Sequence, residues 1–194
     1  MEIFDHPNFA FYILLTFCIL LCGCSIGLII NPSTNQSFNF TTSPVFTMTS
    51  FQIFQTIFIK NLMATFLIIS LSIFGFRLLP ILCILFNGYT IGNTISLLQY
   101  NPNIIFNIIF PHGYIEFPLL IFTGACSFII IEEIRKTGLN AYTLLKKHGN
   151  PKIRYILKNY LFYPYLFIII PGILITAILE STFSLWNFRI LLGV

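Results

Sequence analysis

From Phe9 to Ile30 the sequence runs without a charged residue or a proline. At 1.5 Å per residue a helix of that length reaches about 33 Å, enough to cross a hydrocarbon core about 30 Å thick. Such a run leaves few folds open. Inside lipid every backbone N–H and C=O must find its partner within the protein, which restricts spanning structures to helices and closed barrels. Composition carries the constraint along the chain: 57% of the 194 residues are hydrophobic and only 8% are charged, against about 25% charged in a soluble domain. The fold class is therefore all-α, a polytopic membrane protein occupying 1–194 as a single membrane domain.

Spans are expected at about 9–30, 54–76, 78–98, 114–131 and 160–179. Met1 to Pro7 lacks the basic n-region of a signal peptide, so the first run is read as a retained helix. Residues 104–110 are apolar but too short to cross, and are expected as a re-entrant or interfacial half-helix ahead of Pro111-His112-Gly113. Seven of the ten basic residues fall between Arg135 and Lys158. Excess Lys and Arg marks cytoplasmic loops, which places 132–158 inside and the uncharged, Ser/Thr/Asn-rich stretch 31–50 outside. Five spans then give a cytoplasmic N-terminus and an outer C-terminus at the cell membrane. Within the basic loop, Leu139, Tyr142 and Leu145 line one side of a short amphipathic helix suited to the inner leaflet. Aromatic interleaving there is thin, so no nucleic-acid partner is expected. The five cysteines all lie in apolar runs and read as small buried hydrophobes, not as a disulfide framework or a metal site.

The residues that remain to be explained are polar ones in apolar surroundings, where each is costly and needs a partner. The stretch from Pro111 to Pro118 carries His112, Gly113 and Glu116, with His112 and Glu116 one helical turn apart. Lys60 and Asn61 interrupt the second span. Counting back from the inner ends of their spans at 1.5 Å per residue puts Lys60 about 24 Å and Glu116 about 22 Å up. A Lys60–Glu116 ion pair with Asn61 and His112 as neighbours is therefore expected, with Glu180 near the same level. Gly23 and Gly27 form one small-xxx-small pair. Gly88 and Gly92 form another, flanked by Asn87 and Asn93, whose amides are suited to bonds between helices. His112 and Glu116 have the i, i+4 spacing of metal ligands but lack an evident third donor, so no metal or cofactor is expected. Glu132-Glu133-Ile134-Arg135 is similar to the EExxxR pattern of CAAX-protease-like membrane proteins. Its arginine, however, comes two residues after the second glutamate instead of four, and no enzyme activity is expected.

Four pieces of the chain, in order, carry a family resemblance. They are FIKNL (Phe58 to Leu62), FNGYTIG (Phe86 to Gly92), FPHGYIEFPLLIFTGA (Phe110 to Ala125) and AILESTF (Ala177 to Phe183). Together they resemble the stage II sporulation protein M family, also called DUF95. Leu119 stands where that family usually carries alanine, and the basic N-terminus of its sporulation-specific members is missing. The resemblance implies a multi-span fold and a non-enzymatic scaffold or subunit of a membrane complex, anchoring peptidoglycan-degrading partners. The alternative it implies is a component of a circular-bacteriocin type export or immunity system working with an ABC-type ATPase. The implied partners are membrane lipids and other membrane or cell-wall proteins, with self-association left open. The residues expected to bind are Lys60, Asn61, Asn87, Gly88, Gly92, His112, Gly113, Glu116 and Glu180.

Overall fold

The structure, a computed structural model, describes residues 3–30, 49–74, 78–98, 102–136 and 151–192. In the last two stretches the side chains described are those of 116–136 and 154–182. The expected amphipathic segment 139–148 and most of the uncharged loop 31–50 lie outside these residues.

The described chain is helical throughout its long elements: α1 (Phe9–Ile30), α2 (Ser50–Ile73), α3 (Leu78–Leu98) and α4 (Pro102–Lys136), followed by a composite fifth helix. The start of α2 is fixed by a reciprocal cap. The Gln52 backbone N–H donates to Thr49 Oγ1 at 3.3 Å, and the Thr49 N–H donates to Gln52 Oε1 at 2.8 Å. Two donors that the first turn leaves open are thereby satisfied before the chain enters lipid. Among the described residues five helices are long and apolar enough to cross a membrane: Phe9–Ile30, Phe51–Ile73, Leu78–Ser96, Glu116–Lys136 and Arg154–Thr182.

Two expectations change in detail, and both changes come from proline. Residues 104–110 are helical, but they do not end at Pro111. They open a 35-residue helix that continues through Pro111 and Pro118 to Lys136. A proline in a membrane helix removes one N–H and crowds one carbonyl, a local cost that packed neighbours can absorb. At about 52 Å, α4 is far longer than the bilayer core, so it does not lie wholly within it. The fifth span is also longer than 160–179. It runs as α5 (Pro151–Ile156), a π segment (Leu157–Phe162), a second π segment (Tyr165–Ile169) and α6 (Ile170–Leu192). The two π segments flank Pro164. The Tyr163 N–H reaches back five residues to the Lys158 carbonyl, and the Ile170 N–H reaches Tyr165. These wider turns make room for a buried ring that has no N–H to donate, and the helix passes it unbroken.

α4 is the hub. Of its spanning stretch 72% is buried, against 22% in each of the first three spans. One apolar cluster, with Ile69, Cys126, Ile129, Ile134, Ile156 and Ile173, lies on one side of it. A second, with Leu20, Ile68, Ile84, Leu120, Phe128 and Ile131, lies on the other. The bundle's outward face carries exposed Phe11, Leu14, Phe66, Phe86 and Phe167, the side chains that lipid tails solvate as well as a core would.

Candidate functional site

The glycines build the first part of the arrangement. Gly23 and Gly27 of α1 face Gly88 and Gly92 of α3, the two helices running parallel. A Cβ added to Gly23 would strike the Leu85 carbonyl, one on Gly27 the Tyr89 carbonyl, one on Gly88 the Leu20 carbonyl and one on Gly92 the Cys24 carbonyl. Without side chains at these four positions the backbones come into direct contact, which is the main source of attraction between helices in lipid. The two small-residue pairs seen separately in the sequence are thus two halves of one seam. Asn87, beside it, does not bridge helices: its amide donates to the Cys83 carbonyl of its own helix at 2.8 Å.

The second part joins α2 to α4 at two levels. The Asn61 side chain lies beside the Glu116 carboxylate. The Ser72 and Ser127 hydroxyls are hydrogen-bonded to each other. Asn61 to Ser72 and Glu116 to Ser127 are both steps of about eleven residues, close to three full turns. The two contacts therefore lie on one face of each helix and fix a parallel register. Lys60 is exposed, and its charge acts on Glu180, as does that of Glu116. Of the expected group, the side chain next to Glu116 is Asn61, the amide beside the lysine. The expected direct Lys60–Glu116 pair gives way to this arrangement. His112 and Gly113 lie in α4 one turn ahead of Glu116, and the His112 side chain is outside the described ones.

The third part lies at the other end of α4, around Glu132 and Glu133, where no binding residue was expected. Residues ahead of α1 fold back onto it. Ile3 is fully buried among Ile69, Cys126 and Ile130, and His6 is buried with its ring edge-on to Tyr160, 6.0 Å between centroids. Asn8 Nδ2 donates to both Glu132 oxygens at 3.0 Å, and Tyr12 Oη donates to Glu132 Oε2 at 2.8 Å. Lys136 Nζ lies 2.8 Å from an oxygen of each glutamate. His6 Nε2 is 3.2 Å from Glu133 Oε1, and its Nδ1 accepts the Asn8 backbone N–H at 3.2 Å.

His6, Glu132 and Glu133 bring one ligand atom each within 4.8 Å of one another, close enough to suggest a cation. The hydrogen bonds oppose it. An N–H aimed at Nδ1 keeps the ring proton on Nε2, the atom that would have to face the ion, and the Lys136 ammonium already bridges the two carboxylates. The cluster works as a clasp between the N-terminal segment and α4. One sequence signal did point here: two glutamates in the last turns of a helix oppose its dipole and so require partners.

Taken together, the fold and its polar contacts define a multi-pass α-helical membrane protein whose central helix is tied to its neighbours at both ends. The chain belongs to the stage II sporulation protein M family, whose model matches residues 10–185. The match takes in the glycine seam and the Asn61–Glu116 contact, and begins after His6 and Asn8. No curated protein and no solved structure matches the chain.

Proposed function

We propose that the protein is a non-catalytic subunit of a membrane complex, a scaffold that holds cell-wall or membrane partners in place. The observation that supports this reading most is the use made of the polar side chains between helices. Asn61 with Glu116, Ser72 with Ser127, and Glu132 with Asn8 and Tyr12 join one segment to another. Groups used in this way fix helix register and present a rigid body to a partner. The proposed orientation puts the N-terminus in the cytoplasm and the C-terminus outside. The N-terminal segment, Arg135, Lys136 and the start of the fifth span share one end of the bundle, and basic residues favour the cytoplasmic side.

Affinity purification from the native membrane tests the reading. The scaffold should retain a peptidoglycan-degrading enzyme at a fixed ratio. An ABC-type ATPase retained in its place would transfer the protein to the export or immunity role. A chain that turns over a substrate alone would end the non-catalytic reading.

A further inference from the structure

The fifth span carries an exposed stripe that the helix contacts leave unused. Arg154, Lys158, Phe162 and Leu166 follow at four-residue intervals. Arg154 and Lys158 are exposed, as are Phe162 at 57% and Leu166 at 42%. A helix that mixes α turns with wider π turns brings residues four apart close to a single line. The stripe begins with two cations and continues into apolar side chains over about 18 Å, slightly more than one leaflet's half of the 30 Å core. Ile134 of α4 and Ile156 of α5 share one core cluster, which brings the exposed Arg135 beside the same rim.

The acids at this end do little to cancel those charges. Glu132 and Glu133 are bound to Lys136, Asn8, Tyr12 and His6, and Asp5 is the other described acid there. Lys158 also sits 5.5 Å from the centre of the Tyr163 ring, which holds its ammonium at the edge of the apolar zone.

We infer that this stripe is a binding site for a single anionic phospholipid, its headgroup phosphate held by Arg154 and Lys158 with Arg135 alongside, and an acyl chain laid along Phe162 and Leu166. A soluble acidic peptide would meet only the cations. Lipid uses both halves of the stripe, and the apolar half lies at hydrocarbon depth. The inference rests on the chain spanning a membrane and not on the scaffold reading, so its failure leaves that reading standing.

The test measures phosphatidylglycerol and phosphatidylcholine binding to the purified full chain in detergent by native mass spectrometry. Phosphatidylglycerol should be preferred. Each basic side chain near an anionic headgroup is worth roughly fivefold, so Arg154→Gln with Lys158→Gln should weaken phosphatidylglycerol about 25-fold and leave phosphatidylcholine unchanged. The charge-keeping pair Arg154→Lys with Lys158→Arg should bind within a few-fold of the natural chain. If the double variant does not fold, each single Gln variant should still lose about fivefold. Equal binding of the two lipids, or a double variant that holds phosphatidylglycerol like the natural chain, overturns the site. Full displacement by inorganic phosphate at equal concentration would reassign it to a free phosphate, and displacement by a polyglutamate peptide to a protein surface.

Discussion

Adding one methyl group to each glycine separates the contacts that hold α1 to α3 from those that merely touch. In Gly92→Ala the new Cβ falls on the Cys24 carbonyl and within about 3 Å of the Cys24 Cα, and in Gly88→Ala it lies 3.1 Å from the Gly23 Cα. Backbone atoms cannot turn aside, so the helices must part along the seam, and overpacking of this kind costs about 1–3 kcal/mol per site. Gly172→Ala meets only the far end of the Leu119 side chain, at 2.7 Å from Cδ1, and a rotamer change relieves it for less than about 1.5 kcal/mol. Gly124→Ala falls between the two, because its Cβ meets Thr16, a stiff β-branched side chain whose hydroxyl is bonded to the Tyr12 carbonyl at 2.8 Å. The expected order of loss is Gly92 and Gly88, then Gly124, then Gly172. Gly23→Ala with Gly88→Ala should cost less than the sum of the two, since one separation of the helices relieves both. Thermal unfolding of the purified variants in detergent, with helical content followed by circular dichroism, measures all of these. If Gly172→Ala proves as damaging as Gly92→Ala, or the paired change is fully additive, the seam is not a backbone contact.

At the other end of α4, Asn8→Ala and Tyr12→Phe each remove donors from Glu132. Each should cost about 1 kcal/mol, below the roughly 1.5–3 kcal/mol of a bond to a charged group, because 20% of that side chain remains exposed; the same unfolding assay reads it, and no loss in either variant would dissolve the clasp. The clasp should also protect the segment ahead of α1, so Asn8→Ala should speed proteolysis near residue 5 while leaving cuts elsewhere unchanged. For orientation, an impermeant thiol reagent added outside intact cells should label Thr49→Cys and spare Arg154→Cys, both positions being exposed; the reverse pattern inverts the protein in the membrane.

The spans were legible because a run of about 20 apolar residues has few other fates in water or lipid. Their ends were not, since Pro111 and Pro164 read as breaks while the chain carries them inside continuous helices. Depth along the helix brought Lys60 and Glu116 to one level, and the charge on each suggested a pair. Rise alone cannot decide azimuth, however. Lys60 and Asn61 differ by about 100° around α2, and it is Asn61 that faces α4. The glycine pairs were visible one by one, but nothing in either run names its counterpart. The clasp stayed hidden for a different reason: His6 and Asn8 lie 127 and 124 residues from the glutamates they meet, and no periodicity relates them.

The account's central claim is that the polar groups along α4 fix helix register and leave the protein's work to its surface. A double-mutant cycle on Asn61→Ala and Glu116→Ala, read for both unfolding free energy and partner retention, tests it most directly. Hydrogen bonds between membrane helices couple by about 0.6 kcal/mol on average and up to about 1.7. The account predicts a coupling within that range, a Lys60→Ala with Glu116→Ala cycle closer to additive, and partner retention that falls only as stability falls. Additivity between Asn61 and Glu116, or loss of the partner from a Glu116→Ala protein that is as stable as the natural chain, would contradict it.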